Sequence, residues 1–122
     1  MAATILSPSE GDVRPAVMTS ALYREGARTV IVVRGEADIS NRRVLSEVLA
    51  RVVASEAGDV VIDLAETTFI DTAAGRVLAT GHQLLDRDGR KLTFRSPSRL
   101  AARVLDLFGL TDSIEVLSGS QI

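Results

Sequence analysis

The sequence predicts an α/β domain: an opening β-hairpin, then alternating strands and helices, with helices against a mixed, mostly parallel sheet. Two observations predict it. Short β-branched runs, such as residues 29–33 (TVIVV) and 60–64 (VVIDL), read as strands, whereas other stretches repeat apolar residues at three- and four-residue steps and read as helices. After the hairpin the two kinds of segment alternate, which right-handed crossovers convert into neighbouring parallel strands.

Residues 1–16 place Ser7, Pro8, Ser9, Gly11 and Pro15 too close together for a helix or a central strand, and are expected to be a mobile tail. Residues 17–23 and 29–34 are expected to pair antiparallel around a turn at Glu25 and Gly26, the second run being the more central. A first helix follows, with Ser40 or Asp38 as its N-cap. Its stripe of Val44, Leu45, Val48, Leu49, Val52 and Val53 opposes Arg42, Arg43, Glu47, Arg51 and Glu56.

Val60, Val61, Ile62 and Leu64 then make a short strand buried on both faces. From Ala73 the period becomes helical: Ala73, Val77, Leu78, Gly81, Leu84 and Leu85 form one side, and Arg76, Thr80, Gln83 and Asp86 the other. Asp88 and Gly89 turn the chain into a strand at 91–94. Ser98 caps a third helix that offers Leu100, Val104, Leu105, Leu107 and Phe108 for burial. Gly109 closes that helix, Leu110 packs back over its end, and residues 114–117 give a last strand. One domain, 17–117, is expected between the tails 1–16 and 118–122.

Composition narrows the function. With 46% hydrophobic residues among 122, the chain has enough apolar material for one core. Cysteine is absent, which excludes disulfides, thiolate chemistry and sulfur-ligated metals. Lys and Arg (14) nearly balance Asp and Glu (16), so nothing resembles the basic footprint of a nucleic-acid binder. No apolar run approaches the roughly 18 residues of a spanning helix, and the first residues lack a basic start and a long apolar stretch, so a cytoplasmic location without membrane insertion is expected. His82 is the single histidine and has no carboxylate cluster around it in sequence. Neither phosphate-loop nor dinucleotide-binding glycine spacing occurs. No catalytic residue, cofactor or metal is expected, and the chain is not read as an enzyme.

The junction between the central strand and the second helix, residues 68–76, collects hydroxyls and helix N-terminal amides. Thr72 is its most informative side chain. If the helix begins at Ala73, Thr72 caps it, and that role alone accounts for its presence. A second role is compatible with the same place: a phosphate on Thr72 would lie over free amides and within one turn of Arg76, and its charge would oppose an acidic or apolar partner. Asp71, just ahead of the helix, can also satisfy its N–H groups.

Several motifs, in order and at matching spacing, carry a family resemblance from about Val17 to Val116. Gly35, Glu36, Ala37 and Asp38 resemble a Gly-Glu-Leu-Asp pattern; Phe69, Ile70, Asp71, Thr72, Ala73, Ala74, Gly75 and Arg76 resemble an apolar pair followed by Asp-Ser-Ser-Gly-Leu-Gly. Ser96 and Pro97 ahead of a helix, and Gly109 and Leu110 after it, complete the set. The chain thereby resembles a single STAS domain of the bacterial anti-sigma-factor antagonist family.

The resemblance implies a phosphorylation-switched binding module. Unphosphorylated, it would hold an anti-sigma factor of serine/threonine-kinase fold; the partner would then phosphorylate Thr72 from ATP and be released, with a phosphatase as the reversing partner. It implies Asp71 as the residue orienting the hydroxyl or its turn, and Asp38 and Ser40 as shaping the adjacent loop. Ala73, Gly75, Arg76 and Thr80 would complete the contact face. A monomer or weak dimer is expected. Departures fall at Ala74, Gly75 and Arg76, which stand where the family has glycine, leucine and glycine; Arg76 adds bulk and charge to the face. Two other roles share the fold: the STAS subunit of a membrane lipid-transport ABC complex, and a component of a stress-signalling scaffold. A weaker third reading is nucleotide or lipid binding in the crevice over the sheet.

Overall fold

The computed structural model describes residues 18–55 and 57–116. The tails 1–16 and 118–122 lie outside the described residues, as does Leu117. The described residues form strands β1 (Met18–Glu25) and β2 (Arg28–Ala37), helix α1 (Arg42–Ser55), strands β3 (Val60–Asp63) and β4 (Thr67–Ile70), helix α2 (Thr72–Arg87), strand β5 (Leu92–Arg95), helix α3 (Arg99–Leu107) and a 3-10 turn (Thr111–Ser113).

The sheet runs β1-β2-β3-β5, with β4 also beside β2. β1 pairs antiparallel with β2, and every other pairing is parallel. The expected α/β architecture is therefore the observed one, and β2 is its central strand. The hairpin loop is Gly26 and Ala27, one residue later than expected, since β1 extends to Glu25.

Ile31, Val33, Val60, Ile62, Leu92 and Phe94 point to one face, where they meet Leu45, Leu49 and Val52 of α1, Leu78 and Leu85 of α2, and Leu105 of α3. All three helices lie on that side. The other face holds a small cluster of Val30, Val32 and Val61 with Ala21. On it Arg95 donates to Glu115 at 2.5 Å and to Glu25 at 2.8 Å, while Arg28 pairs with both carboxylates. These charged side chains tie β1, β2 and β5 to the segment after the 3-10 turn. Because the helices cover only one face, their apolar stripes are wider than their burial. Val44, Leu84, Leu100 and Leu107, expected in the core, are exposed instead.

Two strand assignments differ from expectation. β3 does not run on to the helix: after Asp63, the Ala65 N–H bonds the Asp63 carboxylate and the Thr67 N–H bonds Leu64 O, so the chain steps and restarts as β4. β4 then continues along β2 where β3 left it, and the Thr67 hydroxyl donates to Val33 O at 2.7 Å. The expected strand at 114–117 reduces, among the described residues, to one bridge between Ile114 and Phe94. The Glu115 N–H bonds Phe94 O at 2.7 Å, and no further pairing follows among the described residues.

Capping decides how the helices present their ends. Ser98 caps α3 as expected, accepting from Ala101 N–H at 3.0 Å. At α1 neither Ser40 nor Asp38 is the cap. The helix begins at Arg42, and Asp38 instead folds the preceding turn, accepting from both the N–H (2.9 Å) and the hydroxyl (2.6 Å) of Ser40. At α2 the cap is Asp71, and Thr72 is the first helical residue.

Candidate functional site

The end of β2, the start of α1 and the start of α2 converge because β2 and β4 stop beside each other. Their register shifts between Gly35 and Glu36, and Gly35 has φ +90°, a conformation that side-chain-bearing residues rarely adopt. This irregularity delivers Glu36, Ala37 and Asp38 into a turn over the β4 end. Asn41 fixes the turn with both ends of its amide, accepting from Asp38 N–H at 2.8 Å and donating to Glu36 O at 2.7 Å.

Asp71 joins this turn to α2. Its backbone N–H bonds Ala37 O at 3.1 Å. One carboxylate oxygen accepts from Ala74 N–H at 3.0 Å and the other from Ile39 N–H at 3.1 Å. With Asp71 supplying the cap, Thr72 is not needed for it. Thr72 is exposed, and among the described residues its hydroxyl has no hydrogen-bond partner. Of the amides in the first turn, that of Ala74 is taken by Asp71 and that of Gly75 bonds Asp71 O, which leaves those of Thr72 and Ala73 outside the helix ladder.

Of the residues the sequence singled out, Asp38, Ser40, Asp71, Thr72 and Ala73 are brought together here. Gly75 is not on the surface. A β-carbon at Gly75 would stand 2.6 Å from Phe108 and 2.7 Å from Val104, so this glycine is where α2 and α3 touch. Arg76 is exposed, and its guanidinium carbon lies 5.6 Å from the Phe108 ring centroid, a cation–π distance. Thr80 lies two turns on, about 12 Å along the axis, and its hydroxyl is turned back onto Arg76 O.

The sequence reading missed two apolar residues beside Thr72. Ile39, in the turn held by Asp71, is 64% exposed, and Phe69, at the end of β4, is 43% exposed. Phe69 was legible only as half of an apolar pair, because which member faces out depends on a strand start that the sequence does not mark. The result is an exposed hydroxyl at a helix N-terminus on a hydrogen-bonded frame whose segments also expose Ile39 and Phe69. Among the described residues no three of His, Cys, Asp and Glu are grouped to hold a metal ion. No helix among them is long and apolar enough to cross a membrane.

The sequence matches the family model described as "Mlab, STAS domain" over residues 20–118. The chain belongs to the STAS-domain family. No curated protein matches it in sequence. Among solved structures, this STAS domain is similar to an anti-sigma factor antagonist from Mycobacterium paratuberculosis, with 22% identity over 84% of this chain and 90% of that one and a TM-score of 0.73. It is similar to the anti-sigma factor antagonist SpoIIAA in its unphosphorylated form, with 15% identity, 80% and 86% coverage, and a TM-score of 0.70. The phosphorylated form of the Bacillus cell fate determinant SpoIIAA matches at 14% identity, 80% and 89% coverage, and a TM-score of 0.66. At these identities the likeness is one of fold.

Proposed function

We propose that this STAS domain is a cytoplasmic anti-sigma-factor antagonist, a protein-binding switch set by phosphorylation of Thr72. Unphosphorylated, it sequesters an anti-sigma factor of kinase fold through the face around Thr72. The partner's catalytic machinery then passes the γ-phosphoryl group of ATP to the Thr72 oxygen. ADP leaves, the hydroxyl proton passes to a base on the partner, and the complex separates; a phosphatase restores the hydroxyl.

The observation that carries this reading is that Asp71 caps α2 and leaves the Thr72 hydroxyl uncommitted. A phosphate there meets the free amides of the helix start and is one turn from Arg76, so the fold tolerates it. The same charge enters a face that includes Ile39 and Phe69, where burial against a partner without a matching cation costs several kcal/mol. The solved SpoIIAA structures, described as unphosphorylated and phosphorylated, share this fold. Contacts to the partner are assigned to Asp38, Ser40, Asp71, Thr72, Ala73 and Arg76, with Thr80 at the edge and Gly75 holding α3 beneath them.

A second reading, the STAS subunit of a lipid-transport ABC complex, is favoured by the description of the matched family model as Mlab. In that case the same face docks constitutively. Titrating the partner that co-purifies with the protein against wild type, Thr72→Ala and Thr72→Glu separates the two. The switch predicts tight binding by the first two and loss of roughly 100-fold or more for Thr72→Glu; equal affinity for all three supports constitutive docking.

A further inference from the structure

Beside the Thr72 face, α1 and α2 do not close fully on one another. A cleft of about 220 Å³ opens between the two helices, with Ala50, Ala73 and Gly81 along it. Leu49, Val53, Val77 and Leu84 form its apolar walls. Arg42 and Arg76 line it too, both near the N-terminal ends of their helices, which lie together because each helix follows a strand parallel to the other's. No carboxylate lines the cleft, and Arg42 has no ion-pair partner among the described residues. Arg76 both lines the cleft and holds its guanidinium carbon 5.6 Å from the Phe108 ring centroid.

We propose that this cleft docks an acidic, amphipathic peptide segment of a protein partner, one apolar side chain entering it and flanking carboxylates meeting Arg42 and Arg76. The size favours a side chain: about 220 Å³ is below the roughly 300–1,000 Å³ of small-molecule sites, and an apolar anchor in a helix-lined groove is a recurrent way of holding a peptide. The charge favours acid. Two arginines, each in the first turns of its helix, share one end of the cleft, and both attract anions. The inference rests on this side of the molecule being a protein-docking surface, and is independent of whether Thr72 is a phosphoacceptor.

The test titrates isotope-labelled protein, followed by NMR, with two synthetic peptides of about 14 residues sharing a helical leucine spacing. One carries glutamate at its polar positions, the other lysine. Vesicles of phosphatidylglycerol form a third arm. The acidic peptide is expected to saturate, with shifts centred on Ala50, Ala73 and Gly81. Its affinity should fall at least about 10-fold in Arg42→Glu and again in Ala50→Phe, which fills the cleft from an exposed position. Circular dichroism shows whether each variant is folded; should Ala50→Phe not fold, Arg42→Glu, at an exposed position, decides alone. Equal binding of the lysine peptide, shifts elsewhere, binding to vesicles but not to the acidic peptide, or an unchanged affinity in Arg42→Glu overturns the proposal. Thr72 does not line the cleft, and the titration contains neither ATP nor a kinase. Failure of the titration therefore leaves the Thr72 switch standing, and failure of the switch leaves the cleft standing.

Discussion

Asp71 reaches Ile39 across 32 positions of sequence: its second carboxylate oxygen accepts the Ile39 N–H at 3.1 Å while the first caps α2 through Ala74 at 3.0 Å. One side chain thus holds two segments of the face in register. Asp71→Ala should cost about 1–2 kcal/mol, the usual loss for an N-cap, and should speed amide exchange at Ile39. Thr72→Ala, which removes no cap, should cost under about 0.5 kcal/mol. Urea melts of the two variants check this, and the reverse order would return the cap to Thr72.

Gly75 fixes how closely α3 approaches. A methyl group there meets Phe108 at 2.6 Å and Val104 at 2.7 Å, so Gly75→Ala should destabilise by about 1–3 kcal/mol, the range for overpacking. Phe108→Ala in the same chain should recover part of that loss, because it removes the nearest obstruction. A double-mutant cycle measures the coupling. Additive losses would mean that α2 and α3 do not meet at Gly75.

The fold and the site were legible to different depths. The central position of β2, the burial of Val60, Val61 and Ile62, the Ser98 cap and the packing of Leu110 follow from local composition, because each is set by a few neighbouring residues. The cap of α2 was not legible. Asp71 and Thr72 are both good capping residues, and only the hydrogen bonds of Asp71 N–H and carboxylate to Ala37 and Ile39 select between them. β4 was hidden for a similar reason, since its partner is the far end of β2 and the step after Asp63 has no turn residue of special conformation. The role of Gly75 lay in Phe108, which is 33 positions away.

Arg95 and Glu115 bear on stability against pH. Hydrogen bonding to Arg95 first, with Arg28 adding to it, holds the Glu115 carboxyl below the ordinary glutamate range, and Glu25 is lowered by the same two arginines. A carboxylate with a depressed folded pKa contributes stability above its unfolded pKa, and loses that contribution as pH falls through the folded value. Thermal melts should therefore decline as pH drops below about 4.3, the unperturbed glutamate pKa. Arg95→Met should be less stable at neutral pH and show a shallower decline over that window. Parallel profiles for the two proteins would remove the ion pairs from the explanation.

The most direct measurement of the switch is the position of phosphate. Wild-type protein is incubated with its co-purified kinase-like partner and ATP, and the modified residue is mapped by peptide mass spectrometry while the complex is followed by size-exclusion chromatography. Phosphate on Thr72, appearing as the complex dissociates and absent in Thr72→Ala, is the predicted result. Phosphate on a serine elsewhere with Thr72 unmodified, or a complex that persists with Thr72 fully phosphorylated, would contradict it.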